Sequence, residues 1–254
     1  MSGETSAMIE MFLAHSETQI KIPLLQLALS LVPLIVVGWI SFRWAGKGGE
    51  IGIATARMVV QLLAVGYVLV FLFKVKNPWV GLAVVTFMIA VSSWIAIRTV
   101  KKLRWQAYGD ALLGIGLGGG AVFALVLVGV LGLDPWYQAR YVIPIAGMIF
   151  SNAMTAVTLS AERFESELKG GRKVDEAQKV AWNAALIPQV NSFLAVGLVS
   201  LPGMMTGQIL AGTSPLDAVR YQIMVMAMIM GSAGMAVAVF LVRRVKREQA
   251  PGGE

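Results

Sequence analysis

The stretch "DALLGIGLGGGAVFALVLVGVLG", residues 110–132, decides the fold. Gly114, Gly116 and Gly119 satisfy G-x-G-x-x-G, the pattern of a turn that cradles a dinucleotide pyrophosphate. That turn needs a strand before it, a helix after it and access to water. Here the glycines lie inside an apolar run, and about 20 such residues suffice to cross a bilayer. Gly114/Gly118 and Gly116/Gly120 are then small residues four apart, a spacing that lets membrane helices approach closely. The dinucleotide reading fails, and a packed membrane helix replaces it.

The rest of the chain agrees. Of 254 residues, 57% are hydrophobic and only 14% are charged. The mean hydropathy is +0.73, more apolar surface than a soluble domain of this length can hide. Seven stretches read as spans: roughly 22–42, 51–73, 79–97, 110–132, 141–161, 187–206 and 217–242. Helices are expected throughout, because lipid-facing backbone must satisfy its own hydrogen bonds and no barrel-like alternation is visible. The fold expected is therefore an all-α integral membrane protein of about seven transmembrane helices. Residues 1–21 are expected to form an outer segment, 22–242 one polytopic transmembrane domain with a cytoplasmic hairpin at about 162–185, and 243–254 a basic tail. Residues 1–21 lack a basic n-region, apolar core and cleavage site, so no removable signal peptide is read there.

Charge sets the orientation. The connections at 43–50, 98–108 and 162–185, with the tail, carry fifteen Lys and Arg, against four on the opposite face (Lys21, Lys74, Lys76, Arg140). Basic residues favour the cytoplasm, which puts the N-terminus outside and the C-terminus inside. Topology thus explains the net charge of +7 better than nucleic acid does. Trp39, Trp44, Trp79, Trp94, Trp105 and Trp136 fall near predicted helix ends, where an interfacial belt belongs.

Chemistry inside the spans is sparse. There is no cysteine, hence no thiol nucleophile and no Cys-based zinc site. No carboxylate occupies the middle of a predicted span: Asp110, Glu162 and Asp217 sit at helix ends. Proton- and sodium-coupled carriers commonly keep such groups in the membrane, so self-powered transport is disfavoured. No G-x-x-x-x-G-K-[ST] occurs, so this chain carries no P-loop of its own and any ATP-Mg chemistry belongs to another subunit. No cofactor is expected on the chain. His15, with Glu10 and Glu17 near it, is a weak candidate for a metal; a solvated terminal histidine is the plainer reading.

The polar residues that remain define a candidate path. Arg57 and Gln61 lie one turn apart in "ATARMVVQLL"; Arg57 either snorkels to the interface or meets a neighbouring helix or a substrate anion. Ser151, Asn152, Thr155 and Thr158 recur near one face, either bonding between helices or lining a polar surface. Gln189 and Asn191, after Pro188, pose the same choice. The stretch 162–185 is dense in both charge signs and broken by Gly170-Gly171 into two helical pieces, the second with Val174, Ala177, Ala181 and Ala184 on about one face. It is either a solvated loop or a docking surface, in which Glu162, Arg163, Phe164, Glu165, Leu168, Arg172, Lys173 and Asp175 are the candidates.

Three blocks together, "ARMVVQLLAVGYVL" (56–69), "IPIAGMIFSNAMTAVTLSAERFESEL" (143–168) and "ALIPQVNSFLAVGLVSLPGMMTGQILAGTSPLDAVRYQIMVM" (185–226), resemble the bacterial FetB-type permease family, to which plant aluminium-tolerance permeases are related. The resemblance covers nearly the whole chain. It implies the inner-membrane subunit of an ABC transporter, working as a pair with two copies of a separate cytoplasmic ATPase. It also implies iron export and oxidative-stress resistance. Chemistry adds a constraint, because iron favours imidazole, carboxylate or thiolate ligands and the spans offer Met, Asn, Gln, Ser and Thr instead. Iron then passes as a chelate, or the cargo is not a metal.

The segment "SLPGMMTGQILAG", residues 200–212, is expected to close span six on the outer side. Pro202 and Gly203 should unwind the helix, which is tolerated only beside protein or a water-filled cavity. Met204, Met205, Thr206 and Gln208 would face an outer gate; alternatively the segment re-enters from the cytoplasm and touches the ATPase. Two other classes stay open: a stand-alone channel or secondary transporter, and a membrane sensor without a transport cycle.

Overall fold

The computed structural model describes residues 22–46, 48–75, 77–100 and 104–250. Residues 1–21, the segment expected outside and carrying His15, and residues 251–254 are not among them. Among the described residues there are no extended strands, and six helices are long and apolar enough to cross a membrane. The chain divides into two units, Met1–Phe71 and Leu72–Glu254.

The first unit holds α1 (Leu24–Leu29), α2 (Val32–Ala45) and α3 (Gly48–Leu72), the last ending at the unit boundary. α1 and α2 together make one 22-residue apolar stretch, Leu24–Ala45. α2 closes on Gly46, whose φ of +66° is the left-handed geometry that glycine adopts without a Cβ penalty. None of the described residues of this unit is buried. Such helices are hydrophobic all round and have lipid as their natural solvent.

The second unit carries the core. It comprises α4 (Pro78–Ala96), α5 (Arg104–Val130), α6 (Ala139–Lys169), α7 (Val174–Ala195), α8 (Gly203–Leu210) and α9 (Pro215–Glu248). Asn77 caps α4 by accepting the Trp79 N–H at 2.9 Å, and Pro78 fills the first helical position, where a missing N–H costs nothing. α6 and α9, of 31 and 34 residues, reach about 47 and 51 Å at 1.5 Å per residue, well beyond a hydrocarbon layer of about 30 Å. Both are long enough to continue past the hydrocarbon.

Small residues set the packing. Ala153, Ala156 and Ala161 of α6, Ala177, Ala181 and Ala185 of α7, and Ala233 and Ala236 of α9 are all buried, filled in by Phe150, Phe164 and Phe240. The glycine run of α5 makes the closest approach. A Cβ on Gly118 would sit 2.5 Å from the Ala236 nitrogen, and one on Gly114 would sit 2.7 Å from the Ala236 oxygen. The spacing argument thus holds for Gly114/Gly118. Gly116 and Gly120 do not share it: a Cβ on Gly116 would meet only Ile89 at 3.7 Å, and one on Gly120 nothing within 4 Å. Over Gly114–Gly119 and Leu125–Val130 the helix widens to π geometry; in the first stretch, four of six residues are glycines with no side chain to resist it.

The sixth predicted span is built differently from the expectation. Instead of one helix over 187–206, α7 ends at Ala195, the chain turns over Val196–Leu201, and α8 begins at Gly203. Gly197, at φ +80°, makes the turn, and the Leu198, Val199 and Ser200 N–H groups all donate to the Ala195 carbonyl. Pro202 is not the unwinding point. It stands in extended geometry as the N-cap residue that starts α8. Among the described residues, six helices long enough to span, with this helix–turn–helix, come close to the expected seven; the sixth expected span is the one that is broken.

Candidate functional site

One end of the second unit gathers most of its ion pairs. Asp110, near the start of α5, has 0% exposure, and its Oδ1 accepts from Arg243 Nε at 2.8 Å and from Arg247 Nη2 at 3.0 Å. The two arginines are one turn apart on α9, so one face of that helix grips one carboxylate oxygen. Asp110 Oδ2 is buried without a partner. Arg244, 5% exposed, lies 3.4 Å from Glu248 and 3.9 Å from Glu165 of α6. Gln249 donates to Asp175 of α7 at 3.3 Å. Helix ends α5, α6, α7 and α9 are thereby tied together.

The hairpin between α6 and α7 has its own lock. Glu167 binds Arg163 at 2.6 Å and Arg172 at 2.7 Å, across the turn at Gly170-Gly171, and its carbonyl accepts the Arg172 N–H at 3.1 Å. Gly171 supplies the φ of +82°. Glu162, Arg163, Arg172, Lys173 and Asp175 are exposed, and Glu165 and Leu168 are half-buried. Phe164 departs from the expectation. It has 0% exposure and belongs to the core, because the helix turns that place its charged neighbours outward point it inward. Of the alanine face expected on α7, Ala177 and Ala181 are buried as anticipated, Ala185 joins them, and Val174 and Ala184 are half-buried.

An aromatic group flanks this end. Trp94, Trp105 and Tyr108 pack at 5.7–6.4 Å between centroids, Tyr108 edge-on to both indoles and the indoles tilted to each other, and the Arg104 guanidinium lies 4.4 Å from the Trp94 ring centroid. Indoles beside a cation suit the headgroup boundary.

The second region, around the α7–α8 break, holds a cavity lined by uncharged residues. A cavity of about 380 Å³ opens between Phe193 of α7, Leu201 and Pro202 of the turn, Met205 of α8, and Gln222 and Met226 of α9. Gln222 is only 6% exposed and its Oε1 has no hydrogen-bond partner. Gln189, 4% exposed and one turn before Phe193, has an unpartnered Oε1 too, as does half-buried Gln208 beside Met205 on α8. Met205 lines the cavity, whereas Met204 packs on the core and the Thr206 hydroxyl donates to the Pro202 carbonyl at 3.2 Å. Asn191 is exposed.

The remaining polar residues are self-satisfied or separate. On α6 the Asn152 amide donates to the Met148 carbonyl at 2.8 Å, and the hydroxyls of Ser151, Thr155 and Thr158 donate to carbonyls three or four residues back. The inter-helix bonding considered for them is replaced by bonds within one helix. Arg57 and Gln61 are exposed on α3 of the first unit. Among the described residues, no three His, Cys, Asp or Glu side chains gather as a metal site.

Two features escaped the sequence reading. The Asp110 pairing joins residues 133 and 137 apart in sequence; the i,i+4 spacing of Arg243 and Arg247 was the available clue. Gln222, hidden in a Met-rich run, was not singled out, although an amide within a span is itself a signal.

Comparison with known proteins gives a consistent result. Residues 24–248 match the model of an uncharacterised protein family, UPF0014. The chain is 36% identical over 202 residues to the "Probable iron export permease protein FetB" of Escherichia coli, covering 73% of this chain and 76% of that one. It is 33% identical over 240 residues to the UPF0014 membrane protein YjkA of Bacillus subtilis, covering 86% and 92%. With the "Protein ALUMINUM SENSITIVE 3" of Arabidopsis thaliana it shares 35% over 204 residues, covering 73% and 72%. No solved structure matches it.

Proposed function

The chain belongs to the UPF0014 family of membrane proteins, and on that premise we propose that it is the permease subunit of an ATP-driven exporter of iron. Two copies work with two copies of a cytoplasmic P-loop ATPase in a bacterial inner membrane, with the N-terminus outside and the C-terminus inside. Iron removal would then support resistance to oxidative stress. The relative named as an iron export permease supports the cargo. One structural observation carries the coupling: the α6–α7 hairpin, extending beyond membrane length, is locked by Glu167 and tied through Arg244 to α9.

A lever must be stiff within itself and attached to what it moves. The hairpin meets both conditions, and it presents Glu162, Arg163, Glu165, Leu168, Arg172, Lys173 and Asp175 as the docking face, with Phe164 anchoring it from below. Force applied there reaches α9, whose other end borders the cavity at Gln222. The path proposed runs along that cavity, with Met205 and Gln222 on its wall, Gln208 and Gln189 within one turn of lining residues, and Met204, Thr206 and Asn191 beside it. Ser151, Asn152 and Thr155 form a second polar strip. Arg57 is proposed to meet a neighbouring helix or a substrate anion, with Gln61 one turn on along the same face of α3.

Coexpression with candidate P-loop ATPases from the same organism tests the reading. The ATPase should copurify, and Arg163→Glu, Arg172→Glu and Lys173→Glu combined should release it. Proteoliposomes should move iron only with ATP. Uphill transport by the permease alone would overturn the proposal.

A further inference from the structure

Resting on the path just proposed, the geometry points to an uncharged cargo: the α7–α8–α9 cavity binds a neutral, largely apolar molecule that presents N–H or O–H donors, in the iron case a neutral chelate rather than the bare ion. Three observations carry this. The cavity is about 380 Å³, within the range of small-molecule sites, and its named walls bear no charge. A bare divalent or trivalent ion placed there would lose its hydration with no carboxylate, imidazole or thiolate to replace it.

The polar groups present are of one kind. Among the described residues only five buried side-chain oxygens lack a partner, and three of them are the glutamine Oε1 atoms of residues 189, 208 and 222. Those residues sit on three different helices, each on the cavity wall or within one turn of a residue that is. A buried carbonyl without a donor is costly, so a molecule bringing donors recovers what the empty protein forfeits. Amide oxygen and nitrogen are interchangeable by rotation, so Gln222 can turn its acceptor toward the cavity. The thioethers of Met205 and Met226 add polarizable, adaptable surface without charge.

The test uses the full-length chain in lipid nanodiscs without any ATPase, so absence of a partner or of export cannot decide it. Labelled tris(acetohydroxamato)iron(III), uncharged and bearing N–H groups, is dialysed against the protein, with excess acetohydroxamate. Uncharged tris(maltolato)iron(III), which has no such donors, and ferrous ion serve as comparisons. Saturable binding of the hydroxamate complex is expected, weaker by about tenfold for the maltolate complex if one hydrogen bond of about 1.4 kcal/mol is lost. Gln222→Leu should weaken hydroxamate binding by a similar factor while leaving the melting temperature unchanged or higher. Ala227→Phe, which fills the cavity, should abolish binding in a protein that still melts cooperatively. Equal uptake of both complexes by wild type and variants would reflect mere lipid partitioning and overturn the inference. So would absence of saturable hydroxamate binding, or its displacement by ferrous ion.

Discussion

From Met235 onward α9 lies against the glycine backbone of α5 and ends in arginines bound to a buried carboxylate, whereas between Val219 and Ala227 it borders a cavity and carries an unpartnered amide. In the first half every large interaction is specific, so the relative position of α5 and α9 is fixed. In the second half the walls are apolar and the polar group is unsatisfied, so the protein leaves something for a ligand to complete. A helix rigid at one end and permissive at the other transmits displacement without losing its register. The contrast can be broken from either side.

The largest effect should come from Gly118→Ala. Its methyl would enter at 2.5–2.8 Å from the Met235 and Ala236 backbone, which cannot turn aside as a side chain can. Forcing α5 and α9 apart should cost about 3 kcal/mol or more, at the upper end of overpacking penalties. Gly120→Ala, where a Cβ meets nothing within 4 Å, should be neutral or slightly stabilising, as expected for alanine in a helix. Thermal unfolding of the two purified variants in the same detergent separates them. Similar melting temperatures would mean that the glycine contact does not hold the seam.

Next is Asp110→Asn. The isosteric amide keeps the shape but removes the charge that Arg243 and Arg247 share. Both arginines are more than a third exposed and can turn to water, so the loss should be about 2 kcal/mol, below the range for a fully buried pair. Arg243→Gln in the Asp110→Asn background should cost much less than Arg243→Gln alone. Additive losses would deny the pairing.

The permissive half should respond with the opposite sign. Gln189→Leu replaces a buried amide whose oxygen has no partner by an apolar group of similar size, and should leave stability unchanged or raise it by about 1 kcal/mol. If Gln189→Leu destabilises as Asp110→Asn does, the amide that α7 holds beside the cavity is engaged after all, and the cavity region does not differ in kind from the charged end.

These contrasts also mark what a sequence carries. The spans were readable because hydropathy over 20 residues is a local property, and the helix approach at Gly114/Gly118 because small residues four apart mark one face. Which glycine pair meets α9 was not readable, since that depends on a partner more than 100 residues away. The break after Ala195 was half-visible: Pro202-Gly203 announced it, but a hydropathy window averaged over the turn at Gly197, whose left-handed backbone is a three-dimensional fact. Phe164 was misplaced because a charge-dense stretch was treated as uniformly wet, while its helix sorts residues by face every 3.6 positions. The cavity arises from elements that approach only in the fold, and composition holds no trace of it.

The smallest expected effect on stability, and the one that sets the comparison in the membrane, is a pair of cysteine substitutions. The chain has no cysteine, so each variant carries a single thiol. Gln208→Cys lies on α8 beside Met205, and Lys173→Cys lies on the exposed turn of the hairpin. Replacing an unpartnered amide and a solvated lysine should leave melting within about 0.5 kcal/mol of wild type, as for surface changes away from specific contacts. If basic residues hold the hairpin end inside, a membrane-impermeant maleimide should label the Gln208→Cys variant in right-side-out vesicles and the Lys173→Cys variant only in inverted ones. Labelling of Gln208→Cys confined to inverted vesicles would instead bring α8 to the cytoplasmic face. The permissive half of α9 would then lie near the proposed ATPase, and force would have no length of membrane to cross before reaching the cavity.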